Sequence, residues 1–330
     1  MTSIHDLTTP ALIVDAGALE HNLATMSAAL PGARLRPHVK AHKCSELARR
    51  QAAHGQLGFC CATVREMAGM AQAGLAEDLL LANETLDARR LAPIEGRVTV
   101  AVDSEETVAA AAAAGGAVRE VLIDVAVGLP RCGCDPSAAG RLADFARGHG
   151  LGVRGVMGYE GHAVGLPDRE ARVSLTAQAM DLLLAAHRDV GGDVISAGGT
   201  GTYDINGWAT EIQAGSYALM DTAYAKLELP FVQALWVWST VISVSPAHAV
   251  ADCGLKSLGM DHGNPSVPGG TVWFCSDEHL TFSTSDPVRV GDRIRVVPAH
   301  IDPTVAYHER LHVVSGDRVI ETWPVDLRGW

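Results

Sequence analysis

Residues 35–43 read Leu35-Arg36-Pro37-His38-Val39-Lys40-Ala41-His42-Lys43, a short extended run that ends in a cluster of basic side chains. It is the first of eight such runs. The others cover residues 58–62, 78–82, 98–103, 120–125, 152–157, 193–197 and 212–219, and alanine-rich stretches of helical character separate them. Some of these stretches carry a recognisable start: Thr63 with Glu66 three residues on forms a capping box, and Ser104 precedes an alanine-rich segment ending at Gly115-Gly116. Runs apolar enough to be covered on both faces, alternating with helices, belong to parallel strands, because each parallel return needs a crossover. Eight such units predict an α/β fold of the (β/α)8 TIM-type barrel class rather than an open sheet.

Beyond residues 229–230 the pattern changes. Runs containing β-branched residues at 235–244, 271–275, 288–297, 310–314 and 319–325 follow one another, with Gly-Asp pairs at 291–292 and 316–317, and no helix is required. The expectation is a barrel over residues 15–230 and a mostly antiparallel β domain over 231–330. The N-terminal residues 1–14, with the extended run Pro-Ala-Leu-Ile-Val at 10–14, are expected to join the β domain.

Composition bounds the partners. With 330 residues, 48% of them hydrophobic and 19% charged, the chain can bury a real core and does not read as disordered. A net charge of −12, from 26 basic and 38 acidic side chains, repels a phosphate backbone, so nucleic acid is not an expected partner. No apolar run reaches membrane-spanning length, and the opening MTSIHDLTTPALIVD lacks the basic start and long apolar stretch of a secretory signal. A cytoplasmic location without membrane partners is the expectation. The cysteines number seven, and neither Cys60-Cys61 nor Cys132-x-Cys134 has structural zinc spacing, so they read as reduced thiols.

In a barrel the strand C-termini carry the chemistry, and here those ends are polar. The first run ends at Lys40, Arg131 follows the fifth, Tyr159-Glu160-Gly161-His162 follows the sixth, Gly198-Gly199-Thr200-Gly201-Thr202-Tyr203 follows the seventh, and Gly215-Ser216-Tyr217 lies in the eighth. Lysine is scarce, at positions 40, 43, 226 and 256 only. A lysine in a protected site suits Schiff-base chemistry because its neutral amine is the nucleophile; the other reading is a solvated head on an apolar stem. The glycine-threonine turn has neither the Walker nor the Rossmann pattern, and it is either structural or a phosphate cradle. Two such turns after adjacent strands, with a lysine on the first strand, point to pyridoxal phosphate.

The β domain offers Val297-Pro298-Ala299-His300-Ile301-Asp302. In a strand His300 and Asp302 share a face and can reach one cation, or they can form an ordinary surface hydrogen bond. One nitrogen and one carboxylate leave coordination positions open, and without a thiolate Mn²⁺ or Mg²⁺ stand beside Zn²⁺ as occupants.

The stretches RPHVKAHK, GVMGYEGH, SAGGTGTYDI, EIQAGSYALMD, DCGLKSLGMDHG, SDEH and VVPAHIDPTVAYHERLHVV occur in this order from residue 36 to 314. Together they resemble the D-threonine aldolase and D-serine dehydratase family of fold-type III pyridoxal phosphate enzymes, which have an alanine-racemase-like N-terminal domain. The resemblance implies a homodimer, with Lys40 as the Schiff-base lysine, Arg131 near the ring oxygen and Tyr159 near the ring. It also implies a phosphate site of Thr200, Gly201, Thr202, Gly215 and Ser216 with Tyr217 beside them, a metal pair of His300 and Asp302, and His162 as catalytic base. In aldolase members an Asp stands at the position of Asp302 where dehydratases carry Cys, so the resemblance leans toward cleavage of a D-β-hydroxy amino acid to glycine and an aldehyde. Dehydration of D-serine or D-threo-3-hydroxyaspartate to a 2-oxo acid and ammonia is the alternative, and a pyridoxal phosphate carrier or a racemase fits less well.

Overall fold

A computed structural model describes residues 2–330. The chain divides into two compact units, one of Met26–Lys40, Leu47–Gly215 and Leu327–Trp330, the other of the residues up to Thr25 with Ala41–Glu46 and Ser216–Asp326. No helix among the described residues is long and apolar enough to cross a membrane.

The first unit is the barrel. Strands Gly58–Cys61, Asp78–Leu81, Arg97–Val102, Glu120–Asp124, Gly152–Met157, Val194–Ala197 and Glu211–Ile212 pair in parallel and in chain order. Residues 35–38 close the ring as an eighth stave. Leu35 bridges Ile212 and His38 bridges Cys60, while Arg36 N donates to Ile212 O and Cys60 N donates to Pro37 O, both at 2.9 Å. Pro37 has no N–H to give, which limits this stave to bridges rather than a full ladder. The eighth run is also shorter than its sequence indicates: the chain turns into a 3-10 helix at Ser216–Ala218 instead of staying extended to residue 219.

Because side chains alternate along a strand, Asp78-Leu80-Ala82, Thr99-Ala101-Asp103 and Glu120-Leu122-Asp124 line the interior in layers. The middle layer is apolar, a buried cluster of Cys60, Leu80, Ala101, Leu122 and Met157. The lower layer is ionic. Arg36 Nε donates to both oxygens of Glu211 at 2.9 Å and its Nη2 donates to Asp78 Oδ2 at 3.1 Å, while Arg154 takes Asp78 Oδ1 at 3.0 Å and Thr99 Oγ1 at 2.7 Å. Burial opposes the charge of Asp78, but Arg154 and Arg36 outweigh it and hold its carboxyl below the usual range. The upper layer contains acids, at the end where the active site of a barrel is built.

Local signals behave largely as their chemistry dictates. Thr63 accepts Glu66 N at the start of Val64–Gln72, although the Glu66 carboxylate reaches one residue further back, to Ala62 N at 2.6 Å. Ser104 and Thr107 form a reciprocal box before Glu105–Ala113.

The second unit is built on a sheet ordered Gly270–Cys275, Leu280–Thr284, Ala249–Ala251, Leu235–Val244, Ala11–Asp15, Arg310–Ser315, Arg318–Pro324, with Arg293–Val296 also paired to Leu235–Val244. The N-terminal strand Ala11–Asp15 runs parallel to Arg310–Ser315 and antiparallel to Leu235–Val244; the other pairs are antiparallel. One expectation fails here. Residues Ile301–Tyr307 form a helix where none was anticipated. Pro303 sits in the first turn, where its missing N–H costs no intrahelical bond, so a proline here is compatible with a helix start.

Candidate active site

Lys40 lies in a 3-10 turn, Val39–Ala41, at the upper end of the stave that closes the barrel, and is half-buried. The flanking histidines act on the backbone. His38 Nδ1 accepts from Lys40 N at 3.4 Å and His42 Nδ1 accepts from Cys44 N at 3.2 Å, and both rings are buried. The repeated basic motif is therefore in part a device that folds the turn carrying the lysine.

Around the same rim the barrel brings several expected residues to the ends of neighbouring strands. Arg131 is exposed, with its guanidinium 5.2 Å from the centre of the Tyr159 ring. His162 lies in the short helix Gly161–Val164, and its Nδ1 is buried without a hydrogen-bond partner among the described residues. The ring is seated on Gly128, which has φ +123°; a Cβ there would stand 2.8 Å from the imidazole. An acid the sequence did not single out lines a small cavity with Arg131 and Tyr159: Asp124 is 3% exposed, and burial, reinforced by Glu84, pushes its carboxyl well above the usual range. The hydrogen bond to Glu84, with burial, likewise pushes the Cys132 thiol up to about 11.

The glycine-threonine turn is buried throughout residues 198–202. Its hydrogen bonds divide the expected phosphate set. The Thr202 hydroxyl donates to Glu160 Oε1 at 2.9 Å and accepts from Gly199 N at 3.2 Å, and Thr202 N donates to Gly199 O, so that residue is engaged within the protein. The amides of Gly201 and Gly215, buried at the ends of adjacent strands, donate to no protein acceptor among the described residues. Buried backbone donors are almost always paired, so a cofactor phosphate fits the chemistry of these two positions. Thr200 is buried in the same turn, whereas Ser216 and Tyr217 belong to the following 3-10 turn and Tyr217 packs on Phe231 at 5.7 Å.

The other unit carries the metal candidates. His300 is not in a strand with Asp302: it has extended backbone, φ −143° and ψ 119°, and is the residue before the helix Ile301–Tyr307, while Asp302 lies in the first turn. The two nevertheless converge, His300 Nε2 standing 3.6 Å from Asp302 Oδ2 with both side chains mostly buried. Two acids outside the expected set hold this geometry. Asp221, fully buried, accepts Ile301 N at 3.1 Å and Tyr224 N at 3.0 Å, capping the helix in place of the His300 side chain. Asp261 Oδ2 receives His300 Nδ1 at 2.7 Å, and the His262 ring stacks on His300 at 3.9 Å. Burial works against the Asp261 charge, but the His300 hydrogen bond outweighs it and holds that carboxyl below the usual range.

A histidine whose Nδ1–H is taken by a carboxylate presents its Nε2 lone pair, here beside a carboxylate oxygen; this nitrogen and oxygen pair fits a divalent cation. Asp261 reaches His300 because Gly259 bridges His300 and packs against Pro303, where any Cβ would lie 2.2 Å from the proline ring. The only sequence signal for it was the Asp-His-Gly triplet at 261–263.

A sequence-family model described as the alanine racemase N-terminal domain matches residues 14–222, and one described as a putative serine dehydratase domain matches residues 234–314. The chain belongs to the D-threonine aldolase and D-serine dehydratase family of fold-type III pyridoxal phosphate enzymes, and it is a lyase. It is 35% identical to a D-threonine aldolase of Arthrobacter sp., over 98% of this chain and 93% of the relative. The crystal structure of D-threonine aldolase from Filomicrobium marinum superimposes with a TM-score of 0.93 at 35% identity, covering 98% of this chain and 97% of the other. A D-threo-3-hydroxyaspartate dehydratase of Delftia sp. is more distant, 26% identical over 98% of each chain.

Proposed function

We propose that this lyase cleaves D-β-hydroxy-α-amino acids of the D-threonine type to glycine and an aldehyde, with pyridoxal phosphate on Lys40 and a divalent cation, Mn²⁺ or Mg²⁺ ahead of Zn²⁺, on His300 and Asp302. The observation that carries this reading is the imidazole and carboxylate pair at 3.6 Å, with no thiol in the cluster of Asp261, His262, His300 and Asp302. Nitrogen and oxygen donors suit the harder divalent ions.

When bound, the cofactor supplies an electron sink for the charge left on Cα, and the cation supplies a Lewis acid for the β-hydroxyl oxygen. The protein's own groups do the rest. Lys40 supplies the amine, on a turn fixed by His38. The Gly201 and Gly215 amides orient the phosphate, and Arg131 with Tyr159 bears on the cofactor ring. His162, whose buried Nδ1 has no hydrogen-bond partner among the described residues, accepts the hydroxyl proton. Asp261 fixes the tautomer in which His300 Nε2 is free to ligate.

The test incubates purified protein with pyridoxal phosphate and Mn²⁺, adds D-threonine or D-phenylserine, and measures aldehyde and glycine against 2-oxo acid and ammonia. Metal-dependent aldehyde with glycine is the expected result. A 2-oxo acid with ammonia replaces the aldolase reading by the dehydratase one, which the Delftia relative favours. Lys40→Ala should abolish the cofactor's bound absorption, whereas Asp302→Ala should keep the colour and lose turnover; full activity of Asp302→Ala in chelator refutes the metal pair.

A further inference from the structure

We propose that Glu160 is a positioning residue that shapes the phosphate-binding turn from below: its buried carboxylate draws part of the turn's donors inward and leaves the Gly201 amide for the cofactor phosphate. This rests on the pyridoxal phosphate reading given above. Glu160 is 0% exposed and stands between Tyr159 and His162, immediately before the short helix Gly161–Val164. It does not cap that helix with its side chain. Instead Oε2 accepts Gly198 N at 3.0 Å, and Oε1 accepts the Thr202 hydroxyl at 2.9 Å and Asn206 Nδ2 at 3.1 Å.

Among the described residues Glu160 forms no ion pair, so its charge is balanced by aimed dipoles alone, an arrangement that is costly unless every donor is in place. The same three bonds grip both ends of the turn and the residue beyond it. Gly198 opens the turn, Thr202 closes it, and Asn206 ties the following segment to the same oxygen as Thr202. The Thr202 hydroxyl, oriented by donating to Glu160, then accepts Gly199 N at 3.2 Å. Two glycine amides are thereby turned inward, one onto the carboxylate and one onto the threonine. Among the described residues the Gly201 amide is left without an acceptor.

Glutamine has the same shape and a different donor count. One side of its amide is N–H, so at least one of Gly198 N–H, Thr202 O–H and Asn206 N–H would meet a donor instead of an acceptor. The turn must then shift or leave a buried group unsatisfied. The cofactor's phosphate should feel this, and its ring and aldehyde should not.

The experiment compares pyridoxal phosphate with pyridoxal, which lacks the phosphate, binding to cofactor-stripped full-length protein, each followed by absorbance and tryptophan fluorescence. The wild type should prefer pyridoxal phosphate. Glu160→Gln should lower pyridoxal phosphate affinity on the order of tenfold, the scale of one charge-assisted hydrogen bond, with pyridoxal affinity nearly unchanged. Asn206→Ala, which removes one donor from Glu160 at a distance from the phosphate amides, should shift the preference the same way by less, and it decides the question if circular dichroism shows that Glu160→Gln does not fold. An unchanged preference, or equal loss for both ligands as a general packing defect would give, overturns the role of Glu160 while leaving the cofactor assignment standing. A wild type that binds both equally, or neither, overturns the phosphate site and this inference with it.

Discussion

Replacing Arg36 by Met should destabilise the protein far more than the loss of a surface arginine. The side chain is 6% exposed and bonds both oxygens of Glu211, itself 8% exposed, as well as Asp78. In the lower barrel layer Arg36 and Arg154 balance Asp78 and Glu211, so the four charges sum to zero. Without Arg36 the layer carries one uncompensated negative charge, and among the described residues Glu211 keeps only the Ser196 hydroxyl at 2.7 Å. Breaking a buried pair in this way costs about 3–5 kcal/mol, a large share of the total stability of a folded domain. The loss should also reach the site, because Arg36 lies four residues before Lys40 on a stave whose backbone pairs with its neighbours through isolated bridges. Removing both charges in Arg36→Met with Glu211→Leu should restore most of the stability, since no buried charge is then left unpaired and Arg154 still holds Asp78. Urea unfolding of the four proteins of the cycle, with unchanged slopes, measures the coupling. A cost below about 1 kcal/mol for Arg36→Met, or a double variant weaker than the single one, refutes the argument that unpaired charge is the cause.

Three further outcomes follow from the site. Asp124 has its carboxyl pushed up by burial and by Glu84, so its contribution to stability is present below the ordinary carboxylate range and is lost as pH rises through its folded value. Asp124→Asn should therefore gain stability over the wild type on going from about pH 5 to about pH 8, by up to about 1.4 kcal/mol per pH unit, and a pH-independent difference in thermal melts counts against this. Asp261→Ala should weaken Mn²⁺ binding about 10- to 100-fold by releasing His300, as read by electron paramagnetic resonance of free Mn²⁺, and an unchanged affinity would remove Asp261 from the site. Gly128→Ala combines a φ of +123° with a Cβ 2.8 Å from the His162 ring, so it should cost about 1–3 kcal/mol and lower turnover while cofactor binding persists; wild-type turnover would disconnect His162 from the chemistry.

The assignments made from sequence and those made only by the structure differ in the kind of interaction involved. His300 and Asp302 come together although the strand argument for them is wrong, because neighbours in the chain converge in a helix start as readily as in a strand. Thr202 illustrates the opposite case. Its place in a glycine-rich turn suggested a phosphate ligand, but the hydroxyl is directed to Glu160, a residue 42 positions away, which no local pattern displays.

The chain's own order of apolar runs and helix starts determined the barrel, the change to β structure after residue 230 and the placing of Lys40 at a strand end, since periodicity and capping are local properties that follow from covalent geometry. Tertiary structure alone decided which polar groups meet: Arg36 with Glu211 across 175 residues, Glu160 with the turn beyond it, and Asp261 with His300 across 39. Those pairings depend on distance and burial in the folded chain, where an aimed donor offsets desolvation, and neither quantity is written in residue spacing.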